Sequence, residues 1–148
     1  MFFLYQALIC ILLILSPLII SFRIFKKKED PKRFMEKFCF PSKNKFVGNL
    51  IWFHGSSVGE LLSILPLVQE LEKNKSINQI LITTSTLSSA QIFKKFNFKK
   101  TVHQFFPIDS VFFSYKFLNY WKPTIAIFVE SEIWPSIFKI LNKKKIPL

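Results

Sequence analysis

Glycine is nearly absent from this sequence, with three residues in 148. Their spacing fits neither a dinucleotide fingerprint nor a phosphate-binding P-loop, which argues against both motifs. Cysteine is as scarce. Cys10 lies in an apolar stretch and Cys39 stands alone. No CxxC occurs, and the two histidines, His54 and His103, are far apart. That pattern argues against a disulfide framework or a zinc site and for a chain facing a reducing compartment. Acidic residues are few as well: nine Asp and Glu against 21 Lys and Arg, a net charge of +12. Such a surplus suits an anionic partner, whether nucleic acid, anionic lipid or a phosphorylated substrate. The richness in Lys, Ile, Phe and Asn is also what an AT-biased genome would write.

What is abundant is apolar. Half the residues are hydrophobic and 19 are Phe. No charge occurs in residues 1–22, where only Gln6, Ser16, Pro17 and Ser21 interrupt the apolar run. About 20 such residues are enough to span a bilayer core. Arg23, Lys26, Lys27, Lys28, Lys32 and Arg33 follow, which favours keeping the following domain in the cytoplasm. A secretory signal would carry its charge before the apolar core and a small-residue cleavage site after it; neither is present. The expectation is a spanning anchor over residues 1–22, with a helix lying in the interface or a buried core helix as alternatives, since Pro17 kinks or ends a helix. Residues 23–49 read as a basic linker beside anionic headgroups.

From residue 50 onward strands and helices alternate. Apolar runs predict strands at Leu50 to Phe53, Gln79 to Thr84, Thr101 to Phe106 and Thr124 to Val129. Leu61, Ile64, Leu65, Val68 and Leu71 keep helical spacing, which predicts a helix from Glu60 to Lys73. Further helices are expected over Leu87 to Phe96, from an Asp109 cap to Trp121, and over Ile133 to Asn142. Ile146-Pro147-Leu148 reads as the opening of a fifth strand. The pattern predicts an α/β domain over residues 50–148: a Rossmann-like parallel sheet with helices on both faces. Ligands bind such sheets beyond the carboxyl ends of the strands. Chemistry is therefore sought in His54–Glu60, Thr83–Ser89, Phe106–Asp109 and Glu130–Trp134.

In the first of these loops Gly55, Ser56, Ser57 and Gly59 let a ligand approach free amides at a helix start, a geometry that favours anions. Glu60 falls in the first turn, where the helix dipole stabilises a carboxylate that can take a proton from a hydroxyl. Ser57 and Glu60 equally fit a capping box. Gly55-Ser56-Ser57-Val58-Gly59 matches GxSxG by letters, but no clear Asp and His follow in the order a serine hydrolase needs. Glu130 and Glu132 after the fourth strand suit substrate positioning, metal binding or mutual pKa perturbation, or simply a solvated loop. Thr83, Thr84 and Thr86 suit phosphate or sugar, or the capping of the next helix. His54 reads as a pocket wall or a core histidine.

These loops together resemble the 3-deoxy-D-manno-octulosonate (Kdo) transferase family of Gram-negative bacteria. The match rests on His54-Gly55-Ser56-Ser57-Val58-Gly59-Glu60, Pro66-Leu67, Thr83-Thr84-Ser85-Thr86, Pro107-Ile108-Asp109 and Glu130-Ser131-Glu132-Ile133-Trp134-Pro135, with Arg33 to Phe38 where the family has an Arg-rich link. The resemblance implies two Rossmann-like domains facing each other, the GT-B arrangement, with this chain as the acceptor half and the donor half outside it. It implies Glu60 as general base on a lipid A precursor (lipid IVA), Glu130 as transition-state stabiliser and CMP-Kdo as donor, with inversion. It further implies His54, Ser56, Ser57, Gly59, Thr83, Thr84, Thr86 and Glu132 as substrate-binding residues, no metal or cofactor, and no role for nucleic acid. The expected location is the cytoplasmic face of the inner membrane, among anionic lipids. The sequence departs from the family pattern at Leu87-Ser88-Ser89-Ala90-Gln91, at Met35 and at Ser136. Two other readings stand beside this one: a non-catalytic membrane-bound remnant or subunit that binds acidic lipid, and another GT-B transferase acting on a lipid carrier.

Overall fold

The structure, a computed structural model, describes residues 2–130 and 132–148. Met1 of the expected anchor and Ser131 of the second acidic motif lie outside the described residues. Among the described residues four strands, β1 (Leu50–His54), β2 (Gln79–Thr84), β3 (Thr101–Phe105) and β4 (Ile125–Phe128), form one parallel sheet in the order β3-β2-β1-β4. The helices described with them are α1 (Phe2–Phe25), α2 (Val58–Lys73), α3 (Leu87–Phe93), α4 (Val111–Trp121) and α5 (Pro135–Lys143). The α/β expectation holds. The central strands are continuous apolar runs because both sheet faces are covered. Phe53, Ile80 and Ile82 pack with Leu61, Ile64, Leu65 and Val68 of α2. On the opposite face Leu50, Trp52, Leu81 and Ala126 pack with Phe117, Leu118 and Trp121 of α4 and with Ile137, Ile140 and Leu141 of α5. Trp52 sits among Phe106, Phe117 and Phe128, with ring centroids 4.9–6.2 Å away.

Register places His54 opposite Thr83 on one side and Phe128 on the other. The chain leaves β1 toward β2 but returns on the far flank of β1 as β4. The strand order thus reverses beside β1, the position at which sheets of this kind form a ligand crevice, here beyond the carboxyl ends of β1 and β4.

Several element ends differ from expectation for identifiable reasons. Asp109 was expected to cap α4, but Ser110 holds that position, its Oγ accepting from Phe113 N at 3.1 Å. Asp109 instead closes the start of α5, accepting from Ser136 N at 3.0 Å and Ile137 N at 2.8 Å. That helix start makes no side-chain cap of its own, since Trp134 and Pro135 stand there. The orphan amides are met by a carboxylate from elsewhere in the chain. α5 begins at Pro135 rather than Ile133 because a residue preceding proline is pushed out of the helical region, and Trp134 has φ −111° and ψ 89°. α3 ends three residues early, at Phe93. The expected fifth strand is represented by one bond, Ala126 N donating to Pro147 O at 2.9 Å.

The 23–49 stretch is packed rather than free. It carries a short 3-10 helix, Phe34–Phe38, over β3. Glu36, 1% exposed, accepts from Arg33 Nε at 2.8 Å, Arg33 Nη2 at 2.9 Å and Phe105 N at 2.8 Å. Arg33 also donates to His103 O at 2.8 Å and to His103 Nδ1 at 3.0 Å. The otherwise bare edge of β3 is thereby covered. α1 is long and apolar enough to cross a membrane.

The buried Arg33–Glu36–His103 group and the exposed Glu70–Lys73 pair differ in what their loss should cost. Removing one partner of a buried pair leaves the other charge unpaired, so Glu36→Ala is expected to cost about 3–5 kcal/mol in denaturant unfolding. Glu70→Ala, at the exposed Glu70–Lys73 pair, should change stability by less than about 0.5 kcal/mol. Burial, reinforced by the charges of Arg33, Lys94 and Lys43, pushes the His103 pKa from 6.5 to about 3. Between those values the unfolded chain takes a proton that the folded chain refuses. His103 therefore contributes stability above pH 6.5 that is lost as pH falls toward 3, on the order of a few kcal/mol. In unfolding measured across that window, His103→Gln should flatten the slope.

Candidate functional site

The site forms where the sheet order reverses. β1 ends at His54, and Gly55 N donates to Thr83 O at 3.1 Å, holding the turn against β2. The chain then enters α2 through Ser57, whose Oγ accepts from Glu60 N at 3.2 Å. Half of the expected capping box is therefore present. The other half is displaced by one residue: Glu60 Oε2 accepts from Ser56 N at 2.7 Å, not from the amide of the cap itself. Glu60 Oε1 accepts from the Ser57 hydroxyl at 2.6 Å. Glu60 is 8% exposed, so its carboxylate is fixed at the first turn, in the positive end of the helix dipole. Gly55 makes this fold-back possible, because a Cβ there would stand 3.0 Å from the Glu60 Cβ. At exposed Gly59 an added Cβ would meet only Ser57 Oγ, at 3.9 Å, so the space over the helix start is open.

The loop after β4 faces this turn. Val129 N donates to His54 O at 2.9 Å. Glu132 Oε2 accepts from the Ser56 hydroxyl and from Trp134 Nε1, the latter at 3.1 Å. Ser56 thus gives its amide to Glu60 and its hydroxyl to Glu132, bringing both acidic motifs onto one residue. Glu130 is exposed on the same loop, with a left-handed φ of 66°. Outside glycine and asparagine such a backbone is uncommon, and strain of this kind concentrates at functional loops.

His54 forms the floor. Its Nδ1 lies 3.1 Å from Thr83 O and 3.0 Å from Thr83 Oγ1. A carbonyl can only accept, so Nδ1 carries the proton and Nε2 presents a lone pair. Nε2 is 3.4 Å from Ser56 Oγ and 3.5 Å from Glu132 Oε2. The ring stacks on Phe106 at 3.9 Å. Burial pulls its pKa down to about 4, while Glu132, the Thr83 carbonyl and Glu60 work against that pull. The imidazole is neutral near pH 7 and serves as a polar wall.

The expected site residues separate into two groups. His54, Ser56, Ser57, Gly59, Glu60 and Glu132 come together at the carboxyl ends of β1 and β4, while Glu130 is exposed two residues after β4. Thr83 and Thr84 turn inward and are fully buried. Thr83 Oγ1 accepts from Trp52 Nε1 at 2.8 Å, and Thr84 Oγ1 lies 2.9 Å from His103 Nε2. Thr86 is exposed and caps α3, accepting from Ser89 N at 3.2 Å. Three contributors were not singled out from the sequence. Ser85 Oγ reaches Ser56 Oγ at 3.4 Å, Phe106 supports His54, and Trp134 holds Glu132. Ser85 was visible only as part of a hydroxyl string, and the two aromatics only as apolar letters in motifs. A hollow of about 220 Å³ beside the crevice is walled by Ser85, Phe106 and Trp134, and on its other side by Tyr5 and Ile9 of α1. Among the described residues no three His, Cys, Asp or Glu side chains cluster to hold a metal.

Residues 32–148 match the family model described as 3-deoxy-D-manno-octulosonic-acid transferase (kdotransferase). The chain is 40% identical over 132 residues to the 3-deoxy-D-manno-octulosonic acid transferase of Rickettsia bellii, covering 89% of this chain and 32% of that protein. It is 36% identical over 136 residues to a probable mitochondrial 3-deoxy-D-manno-octulosonic acid transferase of Arabidopsis thaliana, covering 90% and 30%. With the Haemophilus influenzae transferase it shares 30% identity over 144 residues, covering 93% and 33%. The chain spans about a third of the length of these curated relatives. With its parallel sheet, its paired acidic loops and a family match across 117 of its residues, the chain belongs to the Kdo transferase family of glycosyltransferases.

Proposed function

We propose that this chain is the acceptor-binding part of an inverting Kdo transferase that moves Kdo from CMP-Kdo to a hydroxyl of the lipid A precursor lipid IVA. The observation that carries the reading is Glu60, a carboxylate oriented by the Ser56 amide and the Ser57 hydroxyl at a helix start, at the edge of a crevice. In this reading Glu60 takes the proton of the acceptor hydroxyl. The freed oxygen pair forms the bond to the anomeric carbon of Kdo, and the bond from that carbon to the CMP phosphate breaks, with CMP leaving on its electron pair. Glu130 stabilises the charge that develops on the sugar in the transition state. Ser56, Ser57, Gly59, Thr86 and Glu132 meet the acceptor around the crevice. His54, with Thr83 and Thr84 behind it, keeps the floor in shape. No metal takes part in the transfer.

The donor is held mostly by a second Rossmann-like domain facing this one in a GT-B arrangement, which accords with relatives about three times as long. α1 attaches the chain to the inner membrane at the cytoplasmic face, among anionic lipids, and the surplus of basic residues suits a phosphorylated lipid acceptor. Nucleic acid has no part in this reading.

The test is reconstitution with the carboxyl-terminal portion of the Rickettsia bellii relative, lipid IVA and CMP-Kdo, followed by mass spectrometry of the lipid. Kdo-bearing lipid IVA is expected. Glu60→Gln keeps an acceptor for Ser56 N and should lower kcat about 10²–10⁴-fold with little change in KM for lipid IVA. An active pair that keeps its full rate with Glu60→Gln would remove Glu60 from the base role; a pair that transfers nothing sinks the enzymatic reading.

A further inference from the structure

We infer that α1 does not cross the bilayer but lies in the plane of an anionic leaflet, held near both of its ends by the domain that carries the site. This deepens, and rests on, the membrane attachment proposed above. The first ground is the amino-terminal turn of α1. Tyr5 Oη donates to Asp109 Oδ2 at 2.6 Å, and Gln6 Nε2 donates to Ser136 Oγ at 2.7 Å. Val111 N donates to Gln6 Oε1 at 3.3 Å, and Lys139 Nζ stands 4.1 Å over the Phe2 ring. At the other end, Ser16, Pro17, Ile20 and Ile24 share an apolar groove of about 650 Å³ with Phe34 and Phe113 of the domain. The domain therefore flanks both ends of the helix.

A spanning helix cannot keep these contacts. Tyr5 and Arg23 are separated by roughly 27 Å along the axis at 1.5 Å per residue, close to the thickness of the hydrocarbon core. If Arg23 marked one surface, Tyr5 and Gln6 would approach the other, stripped of Asp109 and Ser136, and the Gln6 amide would be unpaired in lipid.

The second ground is the face that the domain leaves open. Leu4, Leu8, Ile11, Leu15, Leu18 and Phe22 repeat at intervals of four and three residues and are 43–73% exposed. They form one uncharged stripe opposite buried Ile9, Ser16 and Ile20. An interfacial helix needs an apolar side and a polar side. Here the polar side is supplied by the domain itself. The third ground is charge: Lys26, Lys27, Lys28 and Lys32 follow the stripe and are all exposed, complementing anionic headgroups.

The arrangement has a functional meaning. α1 walls the hollow beside the crevice through Tyr5 and Ile9. With α1 at the interface, Ser56, Glu60 and Glu132 stand at headgroup height, so a lipid acceptor reaches the crevice without leaving its leaflet.

The test uses the full chain with Cys10→Ser, Cys39 being buried. Single cysteines are placed by Leu4→Cys, Ile11→Cys or Leu18→Cys, each carrying an environment-sensitive fluorophore. All three sit on the open stripe, seven residues and therefore roughly 10 Å apart along the axis. Depth is read from quenching by spin-labelled lipids in phosphatidylcholine–phosphatidylglycerol vesicles. Equal, shallow depths at the three positions are expected, together with binding about tenfold or more weaker on pure phosphatidylcholine. Depths that step by roughly 10 Å from one position to the next overturn the in-plane orientation while leaving membrane attachment intact. A chain that binds neither vesicle overturns both.

Discussion

A buried carboxylate ties together the parts of this molecule that sequence order keeps apart. Asp109, 3% exposed, follows β3 and precedes α4, yet its oxygens face the Tyr5 hydroxyl of α1 and two amides at the start of α5. Its own carbonyl accepts from the Ser136 hydroxyl at 2.8 Å. Burying a carboxylate is costly unless several donors and a favourable dipole meet it, and here three donors and a helix start do so. Because α5 begins where the acidic loop ends, fixing α5 also fixes Glu132 and Trp134 against Ser56. The placement of α1 and the shape of the crevice therefore share one anchor point.

The sheet was legible in the sequence because β1 to β3 are buried almost throughout and carry no competing helical period. Gln79–Thr84 falls where its apolar run begins and ends. Boundaries set by tertiary contacts were not legible. Asp109 and Ser110 are adjacent, and both are good helix caps. What decides between them is α5, 27 residues further on, whose first turn has Trp134 and Pro135 in place of a capping side chain. The charges of the basic stretch before β1 say linker and nothing of how it packs. Glu36, one of three acids in that stretch, is buried with Arg33 and pins the segment to β3.

At the site, the sequence named the loop and the carboxylate but not the manner of their joining. Ser57 and Glu60 have capping-box spacing, and spacing cannot say that the Glu60 oxygen reaches Ser56 N instead of the cap. Thr83 and Thr84 were grouped with Thr86 as hydroxyls after a strand. The period-two alternation of β2 continues through both, each side chain finds a partner inside the protein, and only Thr86 reaches solvent. Ser85 and Phe106 act through contacts with residues 29 and 52 positions away, which no local pattern encodes, and Trp134 bonds Glu132 two positions back in a geometry that the packing of its ring on Phe106 fixes.

The backbone of Glu130 sets stability against the role proposed for its side chain. At a φ of 66° a side chain is a burden, and glycine would relieve a cost on the order of 1 kcal/mol. Glycine would also remove the acid. The chain keeps glutamate where its local geometry asks for glycine. Under the proposed role of Glu130 in the transition state, the most stable version of this loop and the most reactive one are different sequences, and selection for thermal robustness alone would be expected to replace residue 130 first.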